Sequence, residues 1–320
     1  MTPLLEVENL KKYFPVYKGF FKRVAGYYKA VDGVSFSINA GETFGLVGES
    51  GCGKTTVGKS ILRLIEPTDG RIVLHGDDIR LMSKEQLRRE RRNMQIIFQD
   101  PYGSLNPRMT IEEIIAEPIL KHDIAKGAEC VQAVKRLLSE VGLSEKEMHK
   151  YPHEFSGGQR QRIVIARALS VHPKLIVCDE PVSALDVSVQ AQILNLMQDL
   201  QQQYGIAYLF IAHGMPVVQH ISDRVGVMYL GKIVEVADAV EIFSNSLHPY
   251  SKALMSAVPE PDPTLKQKRV VLSGEVPNLS APPPGCLFSS RCAYCQERCK
   301  KEIPELKQIA PNHQVACHLF

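Results

Sequence analysis

The 320-residue sequence lacks several features that mark common classes of protein. No apolar run approaches the ~18 to 20 residues that a membrane-spanning helix needs, so we do not expect an integral membrane protein. Lys and Arg total 38 against 35 Asp and Glu, and the resulting net charge of +3 is too small to indicate nucleic-acid binding by itself. No internal repeat of about 20 to 50 residues occurs, which excludes solenoids and propellers. No Ser-His-Asp signature or HExxH motif is present.

Cysteine is plentiful but unevenly placed. The first ten residues contain Glu6 and Glu8 and no apolar core, so we expect no secretory signal and a cytosolic protein. In that compartment, thiols or metal ligands are favoured over disulfides. Three cysteines are isolated, and five fall within the last 35 residues: Cys286, Cys292, Cys295, Cys299 and Cys317.

Proline-rich segments at 258–263 and 281–285 indicate a linker. We therefore divide the chain into a large domain, residues 1–255, and a small extension rich in proline and cysteine, residues 256–320.

The large domain shows strands alternating with helices. Residues 43–47, 175–178 and 207–211 are continuous apolar runs of strand length, which suit a parallel sheet covered on both faces. Helical spacing of apolar residues predicts helices at 54–65, 111–120, 130–141 and 159–169. The fold class is therefore α/β, with a mixed or parallel core sheet and a helical subdomain inserted at about residues 100–170.

A phosphate-binding loop follows the first of these strands. The segment from Gly48 to Thr55 fits G-x-x-x-x-G-K-[ST] and lies between a strand and a helix, as the motif requires. Its backbone N–H groups and the helix start would hold phosphate oxygens, Lys54 would reach the β and γ phosphates, and Thr55 would ligate Mg²⁺. The predicted nucleotide-binding residues are Gly48, Glu49, Ser50, Gly51, Cys52, Gly53, Lys54, Thr55 and Thr56.

Two carboxylates end the strand at 175–178. In open α/β sheets, ligands bind at the carboxyl ends of the strands. We expect Asp179 to complete the Mg²⁺ shell and Glu180 to orient and deprotonate the attacking water.

A second helix start able to bind an anion is formed by Ser156, Gly157, Gly158 and Gln159, with Ser156 as the predicted N-cap. The phosphate loop, the sequence FSGGQ and the apolar strand ending in Asp-Glu together resemble the ATP-binding cassette (ABC) family over about residues 4–255.

The resemblance implies further site residues. Gln99 matches the glutamine that touches Mg²⁺ and the membrane subunit, and His213 matches the histidine that contacts the γ-phosphate. Asp186 ends the segment 183–186, which matches the D-loop. Phe14, or its neighbour Tyr13, matches the aromatic residue that stacks on adenine. The sequence departs from the family at Gly214, where Asp is common, and at Phe155, where Leu is common.

The family pairs two cassettes head to tail, so that each ATP lies between the phosphate loop of one and the signature of the other. One chain holds one cassette, and the resemblance therefore implies a second ATPase subunit, with a homologue favoured over an identical copy. The tail and the N-terminal loop expected at residues 14–30 are similar to the F-type ATP-binding subunit of oligopeptide and dipeptide importers. This implies two transmembrane permease subunits, an extracytoplasmic binding protein, no nucleic acid, and a peripheral location on the cytoplasmic face of the membrane.

Three alternatives stay open at this point. The cargo could be nickel or glutathione, whose importers belong to the same group. The chain could be a soluble cassette protein that acts on nucleic acid or ribosomes, although the short gap between Gly48 and Ser156 leaves no room for the coiled coil of such repair proteins. A non-hydrolysing regulatory subunit is disfavoured because Glu180, Gln99 and His213 are all present.

Five cysteines within 32 residues suggest a metal site in the tail. The spacing Cys292-x2-Cys295-x3-Cys299 is similar to that of ferredoxins and favours a [4Fe–4S] cluster. The resemblance points to Cys286, Cys292, Cys299 and Cys317 as ligands, with Cys295 as an alternate. Zinc, with His313 or His318 as a further ligand, and free thiols remain as alternatives.

Overall fold

The computed structural model describes residues 2–21, 23–257, 277 and 282–320. This part of the chain forms two compact units. The first comprises the described residues of Met1–Ile38, Thr43–Arg80 and Ala212–Phe320, and the second comprises Asn39–Glu42 and Leu81–Ile211. The proline-rich segment at 258–263 lies outside the described residues. No described helix is both long enough and apolar enough to cross a membrane.

The first unit contains a four-stranded antiparallel sheet in the order β2-β1-β4-β5. Its strands are β1 (Leu5–Lys18), β2 (Arg23–Ile38), β4 (Asp69–Leu74) and β5 (Asp77–Asp78). The expectation of a loop at residues 14–30 is wrong, because β1 and β2 stay paired as far as Lys18 and Arg23. The ladder hydrogen bonds extend the hairpin well beyond its buried base, and Phe20 near its tip is 97% exposed.

The first unit also contains five further strands, which run side by side in the order β11-β12-β10-β9-β3. These are β3 (Thr43–Val47), β9 (Arg224–Tyr229), β10 (Lys232–Asp238), β11 (Lys307–Ala310) and β12 (His313–Val315). β3 and β9 are parallel, whereas the other pairs are antiparallel. The cysteine-rich extension thus supplies the outer two strands and is built into the sheet through β12 and β10.

Helices of the first unit are short. They are α1 (Lys54–Ile61), α8 (Met215–Ile221), α9 (Ala239–Asn245), α10 (Pro249–Met255) and α11 (Glu297–Lys301). The predicted helix at 54–65 begins at the expected residue but ends at Ile61. Arg63 has a φ of 46°, a left-handed conformation that stops the helix.

The second unit is built on three parallel strands in the order β6-β7-β8: β6 (Met94–Ile97), β7 (Leu175–Asp179) and β8 (Ala207–Ile211). Every residue of β7 and β8 is buried, as their continuous apolar sequence predicted. The helices are α2 (Lys84–Glu90), α3 (Pro101–Ser104), α4 (Ile111–Lys121), α5 (Ala128–Glu140), α6 (Gly157–Leu169) and α7 (Val187–Tyr204). α4, α5 and α6 confirm the predicted helices to within two residues at each end.

Capping explains where these helices begin. Thr110 accepts a hydrogen bond from the backbone N–H of Glu113, and the carboxylate of Glu113 accepts one from the backbone N–H of Thr110. Ser156 and Gln159 repeat this reciprocal arrangement at the start of α6. Both are capping boxes, which satisfy backbone donors that the first helical turn leaves unpaired.

Candidate active site

The phosphate loop curls around its own lysine. Lys54, the first residue of α1, is buried, and its Nζ donates hydrogen bonds to the carbonyl oxygens of Gly48 at 2.7 Å and Glu49 at 3.0 Å. The ammonium is therefore held inside the loop. Gly53, at the N-cap of α1, has no side chain to bond the first N–H groups of the helix. Those groups and the positive end of the helix dipole are the features that bind an anion.

Two glycines of this loop are required by close packing. Gly53 has a φ of 106°, and a Cβ built on it would overlap the carbonyl oxygen of Ala30. A Cβ on Gly48 would likewise overlap the carbonyl oxygen of Met228. The motif's glycines thus let β2 and β9 approach the loop, in addition to freeing its backbone.

Tyr13 and Phe14, the two candidates for stacking on adenine, lie on β1 and differ in their surroundings. The hydroxyl of Tyr13 donates a hydrogen bond to Asp32, and burial together with this carboxylate raises the pKa of Tyr13. Phe14 is 37% exposed, and Lys12 lies over its ring at 4.9 Å. A lysine, Lys29, likewise lies over the ring of Tyr13, at 5.3 Å, so the difference is that Phe14 is the more exposed of the two side chains.

In the second unit, the two carboxylates lie at the carboxyl end of β7, as predicted. Asp179 is the last residue of the strand, and the next residue, Glu180, has a left-handed φ of 52°. The backbone N–H of Glu180 donates to the carbonyl oxygen of Ile211 at 2.9 Å, and its side chain accepts a hydrogen bond from Gln99 Nε2 at 2.8 Å. A non-glycine residue in this conformation is strained, and such strain is concentrated at functional sites.

The signature helix start lies against the segment that includes Asp186. Ser156 is the N-cap of α6, as predicted. A Cβ on Gly158 would approach Val189 Cγ1 to 2.6 Å, and one on Gly157 would approach Leu185 Cδ2 to 3.3 Å. Here too, close packing is a further reason for glycine beside the exposed N–H groups that the sequence suggested. Asp186 itself is the N-cap residue of α7.

His213 lies in the first unit, directly before α8, and is exposed. Gly214 is the N-cap residue of α8 and has no side chain with which to accept a hydrogen bond from the helix, as the family's usual Asp could. A Cβ at Gly214 would meet nothing closer than Val217 Cγ2 at 3.6 Å. Local packing therefore does not require glycine at this position.

Two of the predicted cluster ligands are joined through the backbone, because the N–H of Cys286 donates a hydrogen bond to the carbonyl oxygen of Cys299 at 2.7 Å. Burial raises the pKa of the Cys286 thiol to about 11, and charges on Cys299, Cys317 and Cys292 act in the same direction. Even so, among the described residues no three His, Cys, Asp or Glu side chains form a group that could hold a metal ion. The prediction of an iron–sulfur or other metal site is therefore not supported by the geometry.

The two histidines suggested as zinc ligands have other partners. His313 Nε2 lies 2.8 Å from Glu235 Oε1 in a buried pair, and His318 Nε2 lies 3.0 Å from the carbonyl oxygen of Glu302. Glu235 also accepts the backbone N–H groups of Leu247 and His248. These contacts give the imidazoles structural roles and leave the cysteines as the remaining candidate ligands.

Sequence reasoning missed three residues that adjoin the phosphate loop. Arg291 forms two hydrogen bonds with the carboxylate of Glu49, and the Tyr250 hydroxyl accepts the backbone N–H of Glu49 at 2.8 Å. The guanidinium of Arg291 also lies 5.9 Å from the ring of Tyr229. In the sequence, the segment around Arg291 stands out only for its cysteines. No residue pattern near Arg291 indicates that it has a partner in the phosphate loop.

Comparison with known families gives two matches along the chain. Residues 31–183 match the ABC transporter family, and residues 234–299 match the C-terminal region of oligopeptide/dipeptide transporters. The first match includes the phosphate loop and the carboxylates, and the second includes most of the cysteine-rich extension.

Relatives of similar length are found among bacterial transport proteins. The chain is 53% identical to the oligopeptide transport ATP-binding protein AppF of Bacillus subtilis, covering 99% of this chain and 97% of the relative. It is 51% identical to the putative oligopeptide transport ATP-binding protein YkfD of the same organism, covering 99% and 96%. A probable peptide ABC transporter ATP-binding protein, y4tS of Sinorhizobium fredii, is 50% identical, covering 99% and 90%.

Solved structures support the fold. The dimeric ATP-binding cassette MJ0796, bound to ADP and Pi in a post-hydrolysis state, is similar with a TM-score of 0.65 and 26% identity, covering 73% of this chain and 98% of that one. CbiO1 of Clostridium perfringens, part of an ABC transporter complex, is similar with a TM-score of 0.66 and 25% identity, covering 77% and 92%. The α/β fold with a phosphate loop is therefore confirmed.

Proposed function

The chain belongs to the ABC transporter family of ATP-binding proteins, and from this premise we propose that it is the ATPase subunit of a peptide importer. It binds and hydrolyses ATP, and the hydrolysis powers the import of dipeptides or oligopeptides. The observation that carries this proposal is the identity of 53% to an oligopeptide transport ATP-binding protein over nearly the whole of both chains. The match of residues 234–299 to the C-terminal region of oligopeptide/dipeptide transporters adds to it.

The phosphate loop and the residues near it bind the nucleotide. Lys54 and the N–H groups at the start of α1 bind the triphosphate, and the exposed ring of Phe14 stacks on the base. Thr55, Gln99 and Asp179 offer a hydroxyl, an amide oxygen and a carboxylate, which are the oxygen ligands that Mg²⁺ prefers. Mg²⁺ held by these residues would neutralise charge on the phosphates.

Glu180 acts in the hydrolysis of the bound ATP. Its carboxylate orients and deprotonates the attacking water, and Gln99 holds it in position through the 2.8 Å hydrogen bond. His213 contacts the γ-phosphate. The signature residues, from Ser156 to Gln159, and Asp186 act on a nucleotide held by a second subunit.

The partner of this chain is a homologous ATPase subunit, and the pair docks on two permease subunits at the cytoplasmic face of the membrane. An extracytoplasmic binding protein delivers the peptide. The similar cassette MJ0796 is dimeric in its structure with ADP and Pi, which is consistent with a pair of cassettes. Because each complete site needs groups from both subunits, the isolated chain binds nucleotide but hydrolyses it slowly.

The extension is proposed to hold a [4Fe–4S] cluster through Cys286, Cys292, Cys299 and Cys317. Four thiolates are the usual ligand set of such a cluster, and the support for it is the sequence spacing of Cys292, Cys295 and Cys299, which is similar to that of ferredoxins. Zinc bound with a histidine is disfavoured, because His313 and His318 are engaged by Glu235 and Glu302.

Reconstitution tests the transport function. The chain is assembled with its partner ATPase, permeases and binding protein in proteoliposomes, and uptake of a labelled dipeptide, nickel and glutathione is compared. We expect uptake of peptide that depends on ATP, and ATP turnover well above that of the isolated chain. Uptake of nickel or glutathione in place of peptide would redirect the assignment within the group. Full ATP turnover by the monomeric chain at high dilution would contradict the split site, and copurification with ribosomes or DNA would favour a soluble cassette protein.

A further inference from the structure

An ion pair joins the cysteine-rich extension to the phosphate loop. Arg291 Nη1 lies 2.8 Å from Glu49 Oε2, and Nη2 lies 3.0 Å from Glu49 Oε1. The side chain of Arg291 is only 7% exposed, and that of Glu49 is 31% exposed. This two-point geometry is the strong form of an ion pair, and its hydrogen bonds raise the pKa of Arg291.

Aromatic residues fix the arginine in place. Phe288, three residues before Arg291, is buried against Tyr229 and Tyr250, with ring centroids 5.3 and 5.5 Å apart. Tyr229 and Tyr250 contact each other at 4.6 Å. The extension is therefore anchored beside the phosphate loop by a packed group of rings, and Arg291 needs little reordering to reach Glu49.

Hydrogen bonds of Glu49 connect Arg291 to Lys54, the phosphate-binding lysine. Its carboxylate is held by Arg291, its backbone N–H by the Tyr250 hydroxyl, and its carbonyl oxygen accepts a hydrogen bond from Lys54 Nζ at 3.0 Å. Every polar group of Glu49 thus has a partner, and two of those partners, Tyr250 and Arg291, are distant from Glu49 in the sequence. The position of the carbonyl that holds Lys54 depends on both.

Charge gives a second reason for the pair. Glu49 is an acid in a loop that binds a triphosphate, so an unpaired carboxylate there would repel the ligand. Arg291 neutralises it. Arg291 Nε is buried without a hydrogen-bond partner among the described residues, which is an energetic cost. The energetic cost of this unpaired Nε is more readily explained by a function of Arg291 at the phosphate loop than by a contribution to stability alone.

We propose that Arg291 is a positioning residue for ATP, which acts through Glu49 to hold the phosphate loop and Lys54 in their binding geometry. The cysteine-rich extension is then part of the nucleotide site of its own chain. This inference rests on the proposed ATPase function, but it assigns a role to a residue outside the motifs that indicate that function.

Equilibrium binding of MgATP to the full-length chain tests this, together with KM and kcat for ATP in the assembled complex. Arg291→Ala is expected to weaken MgATP binding and raise KM about tenfold, while kcat at saturating ATP changes little, since no reacting group is removed. Arg291→Lys keeps the charge but loses the two-point contact and should fall between Arg291→Ala and the parent. Arg298→Ala is the matched control, because Arg298 pairs with Glu302 on the surface of the same extension, where both side chains are more than half exposed. It should behave like the parent.

The double variant Glu49→Ala/Arg291→Ala identifies the route. If Arg291 acts through Glu49, the Glu49→Ala single variant should also weaken MgATP binding, and the double variant should bind MgATP no more weakly than Arg291→Ala, because the two losses do not add. Losses that add in the double variant would overturn the route through Glu49, and an Arg291→Ala chain that binds MgATP like the parent would overturn the inference. If Arg291→Ala fails to unfold cooperatively on heating, Arg291→Lys decides the question. Failure of the parent chain itself to bind MgATP is a different outcome, which would contradict the proposed function.

Discussion

Gln99 Nε2 donates a hydrogen bond to Glu180 Oε2 at 2.8 Å, and this contact joins two residues that are 81 positions apart in the sequence. Gln99 follows β6, and Glu180 follows β7, the neighbouring parallel strand. Because the carboxyl ends of parallel strands lie at one edge of a sheet, the two side chains meet there. The proposed general base is thus oriented by Gln99, the residue that the family resemblance predicts to touch Mg²⁺ and the membrane subunit, so a movement of Gln99 would shift the carboxylate of Glu180.

The first prediction concerns this base. Glu180→Gln keeps the size of the side chain but cannot accept a proton, so ATP turnover of the assembled complex should fall by about 10² to 10⁴ while MgATP binding is retained. Steady-state phosphate release and equilibrium binding measure the two quantities. Glu241→Gln, at an exposed position of α9, is the control and should leave turnover unchanged. Turnover of Glu180→Gln equal to that of the parent would assign the base elsewhere.

The second prediction compares two glycines of the phosphate loop. Gly53→Ala introduces a methyl group that overlaps the carbonyl oxygen of Ala30 at a φ of 106°, whereas Gly51→Ala, at a φ of 78°, meets no atom within 4 Å. Gly51→Ala should therefore cost only about 1 to 2 kcal/mol, from the left-handed backbone, and Gly53→Ala distinctly more. Thermal unfolding and MgATP binding provide the measurement. If Gly53→Ala and Gly51→Ala lose equal stability, the overlap of the new methyl group with Ala30 must be removed by a backbone shift that costs no free energy.

The third prediction concerns the extension. The proposed cluster predicts that the chain purified without oxygen is brown and contains iron and sulfide, and that Cys292→Ser loses both the colour and the iron, because a cluster needs its four thiolates. Cys295→Ser is the matched control and should keep them, since the thiol of Cys295 is the alternate. A colourless parent protein without iron would leave the tail as free thiols. A parent that contains zinc would replace the cluster by a zinc site.

The fourth prediction uses the buried histidine at the start of α10. Burial lowers the pKa of His248 to about 4 from an ordinary 6.5, and its Nδ1 accepts the backbone N–H of Tyr250 at 3.0 Å, a bond that only an unprotonated Nδ1 can make. Between about pH 6.5 and 4, the unfolded chain binds a proton here that the folded chain does not, so stability falls as the pH is lowered through this range.

This histidine should account for about 3 kcal/mol of the change over that range, at 1.36 kcal/mol for each pKa unit. His248→Asn keeps an acceptor at the N-cap and should flatten the pH dependence by that amount in denaturant unfolding curves. His149→Asn, which alters an imidazole that is 75% exposed, is the matched control. An unaltered slope in His248→Asn would show that folding does not lower the pKa of His248.

Much of the fold was predictable because its signals are local. The strands β3, β7 and β8 are short apolar runs, and α4 and α6 begin at capping boxes whose two residues are three positions apart. The segment at residues 14–30 was predicted wrongly. Its hairpin depends on ladder hydrogen bonds between β1 and β2 rather than on a buried apolar pattern, so its sequence looks like that of a loop.

The sequence by itself determined the phosphate loop, the carboxylates after β7 and the signature helix, because each is a short motif whose chemistry depends on adjacent residues. Only the tertiary structure decided that Arg291 holds Glu49, 242 positions away, and that Glu235 holds His313, 78 positions away. The physical reason is that both pairs form where distant segments pack together. The local sequence around either residue does not indicate its partner. Each ion pair forms only where folding buries the two side chains together, away from water.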